Sequence, residues 1–253
     1  MTEVLLDRRD GVGVITLNAP ERRNALTLTM SADLAGAVQD CEGDPSVKAI
    51  VVTGTPPAFC AGADLTLLGE SRAEGLRAIY AGFLAVANST LPTIAAVGGA
   101  AVGAGLNLAL AADVRIAGPR ARFDARFLQL GIHPGGGMTW MLQRITGPQT
   151  ATAMTLFGKI PDAAEALRVG LVHLTVEGDQ DALVAAAVEF AGPAAVGPRD
   201  LIKSIKATMR TTAGLTEHAE AVETELVAQV ASMDSPEFER LLEQMKARIS
   251  GQA

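Results

Sequence analysis

The sequence predicts an α/β fold with a helical C-terminal region. Short β-branched apolar runs stand at Lys48–Thr53, Thr93–Val97 and Val114–Ala117, segments of helical period separate them, and from about Asp179 the strand pattern gives way to helices. Continuous apolar runs of this length suit strands covered on both faces, and their alternation with helices marks the α/β class. A chain of 253 residues also buries enough apolar surface to fold without disulfides or a structural metal.

In chain order, Gly11–Leu17 (GVGVITL) reads as a strand, ended by the Asn18-Ala19-Pro20-Glu21 turn and the loop ERRNAL. From Thr29, the spacing of Met30, Leu34, Val38 and Cys41 predicts a helix that stops at Gly43-Asp44-Pro45 and places Cys41 in the core. Strand Lys48–Thr53 follows, then a loop, Thr55–Asp64, and a helix over Ser71–Ala87. Strand Thr93–Val97, helix Ala104–Ala112 and strand Val114–Ala117 come next. Met138–Ile145, Gln149–Phe157 and Asp162–Arg168 read as helices, and Leu171–Val176 as a last strand. Helical segments then run to the end, with breaks expected at Gly192-Pro193, Gly197-Pro198, Gly214 and Ser235-Pro236. Ser235 is a suitable N-cap, with Pro236 at the first helical position.

Composition narrows the function. Basic residues number 21 against 28 acidic ones, a net charge of -7, which opposes duplex nucleic-acid binding. Cys41 and Cys60 are too few for a disulfide framework, and the N-terminal residues lack a basic and apolar leader, so a cytoplasmic location is expected. Leu91–Ala112 is long enough to cross a bilayer, but it holds Pro92 and four glycines and is bounded by Asp113 and Arg115. No membrane span is therefore expected. The three histidines have no ligand spacing, so no metal is expected either. The phosphate-loop, nucleophile-elbow, HExxH and CxxC signatures are missing, and Gly103-Ala104-Gly105 is only part of a dinucleotide fingerprint.

What remains are two glycine-containing turns that follow buried strands: Phe59-Cys60-Ala61-Gly62-Ala63-Asp64 and Gly103-Ala104-Gly105-Leu106-Asn107. Backbone N–H groups at a helix start have no internal partner and carry partial positive charge, so a pair of such turns can hold an oxyanion. Small residues that let helices pack on strands would give the same pattern.

The segments Ile15–Leu26, Ala58–Leu65, Pro92–Val97, Leu108–Ala117 and Leu130–Gly137 resemble the crotonase, or enoyl-CoA hydratase/isomerase, superfamily in order and spacing. The resemblance implies a spiral of ββα units over residues 1–190 that binds acyl-CoA. Over residues 191–253 it implies a helical region that builds trimers or hexamers. It implies an acyl-CoA thioester as ligand, coenzyme A entering as part of the substrate with no separate cofactor, and a default setting in fatty-acid metabolism. Carried over by position, the thioester carbonyl would accept hydrogen bonds from the N–H groups of Ala61 and Ala104. Gly62, Ala63 and Asp64 would complete the first turn. Arg22 and Arg23 would lie near the CoA nucleotide, with Lys203 a further candidate for its phosphates.

The departures are as informative. Family hydratases carry two glutamates, and here their positions hold Asn107 and, twenty residues on, Phe127. An amide cannot accept a proton from water near neutral pH and a phenyl ring cannot donate one. The place where isomerases and dehalogenases of the family carry an acid holds Gly135. His133 and Asp124 are the candidate replacement acid or base, His133 for its intrinsic pKa of about 6.5. His133 bonded to a nearby carbonyl and Asp124 paired with Arg126 or Arg122 on the surface are the competing readings. Phe127 and Trp140 suit the lining of an acyl pocket or the core. Two functions are therefore expected: an enzyme acting on an acyl-CoA thioester with nonstandard proton transfer, or a non-catalytic acyl-CoA carrier or sensor.

Overall fold

The computed structural model describes residues 2–64 and 72–250. In chain order its elements are β1 (Val4–Arg9), β2 (Val12–Leu17), α1 (Leu28–Gly43), β3 (Ala49–Gly54), β4 (Ala58–Cys60) and α2 (Arg72–Asn88). There follow β5 (Thr93–Val97), β6 (Ala100–Val102), α3 (Ala104–Ala111), β7 (Val114–Ala117), β8 (Arg122–Asp124), α4 (Met138–Leu156), α5 (Ala163–Arg168), β9 (Leu174–Thr175) and α6 (Gln180–Val196). The last helices are α7 (Arg199–Thr212), α8 (His218–Met233) and α9 (Pro236–Ser250). The chain divides into two compact units, Met1–Ala195 and Val196–Ala253.

In the first unit the strands make two sheets. One is six-stranded in the order β1-β2-β3-β5-β7-β9, with β1 antiparallel to β2 and the remaining pairs parallel. The other is three-stranded, β4-β6-β8, and parallel. The chain thus sends one strand to the large sheet and the next to the small sheet, then follows with a helix, which is the ββα spiral. The period of two along β3 shows why its run is apolar throughout. Ile50 and Val52 face the main core with Leu34, Phe59 and Phe83, while Ala49 and Val51 face Leu183 and Ala187 of α6.

Four strands lie where none was expected. β4, β6 and β8 have three residues each, shorter than a recognisable run, and β1 is an edge strand whose burial fades from Val4 to Arg9. The expected strand Leu171–Val176 shrinks to Leu174–Thr175, because the N–H groups of Leu171 and Val172 both turn back to the Ala166 carbonyl. Gly192-Pro193 does not break α6; a proline near the C-terminal end costs one internal hydrogen bond and the helix runs on to Val196. Residues 138–156 contain the two expected helices, joined across Gly147 at φ 77° and followed by Pro148. Of the helix expected over Ser71–Ala87, Ser71 lies outside the described residues. In the second unit α7 packs on α8, and Ser235 caps α9, its Oγ accepting from Phe238 N at 3.2 Å.

The ERRNAL loop is tied to the rest of the first unit by one amide. Asn24 is fully buried at φ 57°; its Oδ1 accepts from Ala19 N at 2.9 Å, and its Nδ2 donates to the carbonyls of Thr55 and Ala58, both at 2.8 Å. Gly54 has no Cβ where one would collide with the Phe59 carbonyl and crowd this amide. Asn24→Ala leaves a buried donor and two buried acceptors without partners and should lower unfolding stability by about 2–4 kcal/mol. Urea unfolding followed by circular dichroism measures it; a loss under about 0.5 kcal/mol, the scale of a neutral surface change, would contradict the role.

Candidate functional site

Both glycine turns open into one cavity of about 640 Å³ in the first unit, lined by Ala61, Gly62, Ala63, Gly103, Ala104 and Asn107 among others. They meet because α3 presses against β4. A Cβ on Gly105 would collide with the Cys60 carbonyl, so only glycine allows the start of α3 to lie on the first turn. Cys60 itself is packed away, with burial pushing its thiol up to about 12, and Cys41 is held at about 11 by the same cause. Neither is a nucleophile at neutral pH.

The hydrogen bonds of the first turn correct one expectation. The Ala61 N–H donates to the Arg23 carbonyl at 3.0 Å and is not free for a ligand. Leu26 then pairs with Ala63 as a parallel bridge, in which Leu26 N donates to Gly62 O at 2.7 Å and Asp64 N to Leu26 O at 2.8 Å. In that pattern the Ala63 N–H points away from Leu26. Ala63, two residues beyond Ala61, thus presents an N–H that has no acceptor among the described residues. In the second turn Gly103, at φ 51°, precedes α3 and is held by its N–H on the Asp124 carbonyl at 2.9 Å. Ala104 is the first helical residue, so its N–H has no partner within the helix and carries the positive end of the helix dipole. The first backbone bond of α3 comes only at Asn107 N to Gly103 O, 3.0 Å.

Asn107 and Phe127 both line the cavity. Asn107 is 1% exposed; its Nδ2 donates to the Gly135 carbonyl at 2.9 Å, and its Oδ1 is buried with no donor among the described residues. Asp124 does pair with Arg126, through Nε at 2.8 Å and through Nη2, but beneath the turn rather than on the surface, at 3% exposure. The guanidinium holding that carboxylate, not the carboxylate, lines the cavity. Arg122 instead donates to the Ala121 carbonyl. His133 is exposed and lines the cavity, with Nδ1 2.7 Å from the Pro134 carbonyl. A carbonyl has no proton to give, so Nδ1 carries the hydrogen of this contact, and in the neutral ring the lone pair is on Nε2.

The arginines separate. Arg22 is ion-paired with Glu3 at 2.6 Å and bonded to the Ala25 carbonyl at 3.2 Å, and the hydrogen bond with Glu3 raises its pKa. Arg23 is exposed and, among the described residues, has no ion pair. Lys203 lies on α7 in the other unit. Trp140 is neither pocket lining nor core: it is 59% exposed, with the Arg144 guanidinium 3.9 Å above its ring. Tyr80 went unnoticed in the sequence although it lines the cavity with Leu76 and Ile79 of α2. The helical spacing of Leu76, Ile79, Tyr80 and Phe83 carried the signal.

The sequence pattern of enoyl-CoA hydratase/isomerase matches residues 7–248. A probable enoyl-CoA hydratase of Mycobacterium tuberculosis, EchA14, is 54% identical over 244 residues, 93% of this chain and 94% of that protein. Among solved structures, an enoyl-CoA hydratase from Bacillus anthracis superposes with a TM-score of 0.90 at 25% identity, covering 98% of this chain and 97% of its own. A probable enoyl-CoA hydratase/isomerase from Mycobacterium abscessus gives 0.86 at 29% identity, with 97% and 96% covered. With its two-sheet ββα spiral and its paired glycine turns, the chain belongs to the enoyl-CoA hydratase/isomerase family.

Proposed function

We propose that the chain binds an acyl-CoA thioester with its carbonyl oxygen between the N–H groups of Ala63 and Ala104, and transfers protons on the neighbouring carbons through an enolate. The observation that carries this reading is that Ala63 and Ala104 line one cavity with backbone N–H groups that have no acceptor among the described residues. Negative charge developing on the oxygen gains from both donors and from the α3 dipole. His133 Nε2 is the base: it takes a proton from the carbon beside the carbonyl as the electron pair moves to the oxygen. Returning that proton two carbons further along a 3-enoyl chain yields the conjugated 2-enoyl thioester, so one neutral imidazole serves both steps. Two-carboxylate hydration has no support in Asn107 and Phe127.

Among the cations, Arg23 is the one proposed to meet the CoA nucleotide, with Lys203 a further candidate; Arg22 is already matched by Glu3. No separate cofactor is needed, and fatty-acid metabolism is the setting proposed. No helix among the described residues is long and apolar enough to cross a membrane. A second reading, an acyl-CoA carrier or sensor, is favoured by the loss of both carboxylates and by the Asp124–Arg126 pairing.

Mixing the purified chain with 2-enoyl- and 3-enoyl-CoAs and following the conjugated thioester absorbance separates the two. Turnover is expected, and His133→Ala should lower kcat by about 100-fold or more; an unchanged rate excludes His133 as base. No turnover on any substrate, together with calorimetric acyl-CoA affinity of roughly micromolar, leaves the carrier. Ala104→Pro deletes one donor at the first helical position, where proline fits, and should cost about 100- to 1,000-fold in kcat; a loss under about tenfold argues against that donor. Self-association as a trimer or hexamer is proposed from the exposed Leu226, Val230, Leu241, Met245 and Ile249 of α8 and α9. Light scattering should give one of those masses, and a monomer refutes it.

A further inference from the structure

The fixed charges that border the cavity are of one sign. Its lining includes Arg72 and Arg126 but no aspartate or glutamate, in a chain whose net charge is -7. Arg72 is exposed at the start of α2 and, among the described residues, has no ion pair. Asp124 is 3% exposed and lies behind Arg126, outside the cavity wall. A hydrocarbon tail laid over these guanidiniums takes water from them without returning a hydrogen bond.

Arg126 is held in a defined orientation. Its backbone stands at φ 55°, a left-handed conformation that a non-glycine residue seldom adopts. Its Nε donates to Asp124 Oδ2 at 2.8 Å and its Nη2 to the same oxygen, so a buried carboxylate fixes one edge of the guanidinium. Nη1 has no partner among the described residues, which leaves the Nη1–Nη2 edge, the one a carboxylate bridges with parallel hydrogen bonds. The side chain lines the cavity at 47% exposure, within reach of a ligand.

The neighbouring turn indicates which part of a ligand meets this edge. The Asp124 carbonyl accepts from Gly103 N at 2.9 Å, and Gly103 immediately precedes the Ala104 donor. The guanidinium therefore stands by the turn proposed for the thioester carbonyl, whereas Arg23, the cation proposed for the CoA nucleotide, belongs to the ERRNAL loop. We infer that Arg126 is a carboxylate-binding, specificity-determining residue for the acyl part of the ligand, and that thioesters of short dicarboxylic acids are the preferred ligands. The free acyl carboxylate, ionised at neutral pH, takes the Nη1–Nη2 edge while Asp124 keeps the other. The Asp124–Arg126 pair is neutral as a whole, and Arg72 supplies further positive charge along the same wall. The inference rests on the thioester reading and deepens it by naming the class of acyl group.

The test is calorimetric titration of the full chain with two matched pairs of ligands, butyryl- with succinyl-CoA and pentanoyl- with glutaryl-CoA. Within a pair the CoA part is the same, so its phosphates cancel from the affinity ratio. In at least one pair the dicarboxylic ligand should bind about tenfold tighter than its uncharged partner, the scale of a charge-assisted contact. Arg126→Gln should bring that ratio down to about one. Because this change strips a buried carboxylate of its partner, the uncharged double variant Asp124→Asn/Arg126→Gln is the second test, with the same ratio expected. Equal affinity within both wild-type pairs overturns the subsite. So does a ratio that survives Arg126→Gln, even where both members of a pair weaken alike, since the arginine then meets the CoA part. Binding of none of the four ligands overturns the thioester reading itself, and the subsite with it.

Discussion

The site depends on a backbone contact that side chains cannot supply. At Gly105 the start of α3 rests on the Cys60 carbonyl, and this close approach sets the two turns side by side. A methyl group there would push helix and strand apart and separate the Ala63 and Ala104 donors, although neither residue had changed. The remaining parts serve to hold that contact. Asn24 fastens the ERRNAL loop to β4, the Arg23 carbonyl takes the Ala61 N–H, and the Asp124 carbonyl holds Gly103 from the next strand of the small sheet. In the proposed function, fixing the donors before a ligand arrives would let them act on developing charge without reorganising.

This arrangement also explains how far the residues could be read in advance. β3 and β5 were visible because each buries both faces, and α1 because its apolar side chains recur at helical spacing. The small sheet was not, since three residues carry too little pattern and its strands are recognised only by their partners. Ala104 was legible as a free donor because a helix start always exposes its first N–H groups. Ala63 was not: whether residue 61 or 63 is free depends on pairing with Arg23 and Leu26, and no local property of Ala-Gly-Ala encodes that. The burial of Asp124, which could be read as an acid or base or as half of a surface ion pair, was hidden for the same reason, because it comes from the strands around it.

That residue 107 is an amide and not a carboxylate bears on the electrostatics of the cavity as well as on its proton chemistry. A carboxylate beside a forming oxyanion raises its energy, and more so where water is scarce. Asn107 carries no charge, and the Asp124 charge is compensated by Arg126. The two backbone donors therefore face no opposing charge from either residue. Proton transfer by the proposed base, His133, would have less to overcome in such a cavity than next to a buried glutamate.

Tyr80 and Gly135 also constrain how the sequence can change. Replacing Gly135 by an acid would drive its Cβ into the Tyr80 hydroxyl, and Gly136 next to it is closed off by Asn107 and Phe83. A side chain at Gly135 therefore needs the Tyr80 ring to move, which couples α2 to the glycine loop. The two positions, far apart in the chain, compete for one piece of space, so a library that varies them together samples cavity shapes that neither position reaches alone.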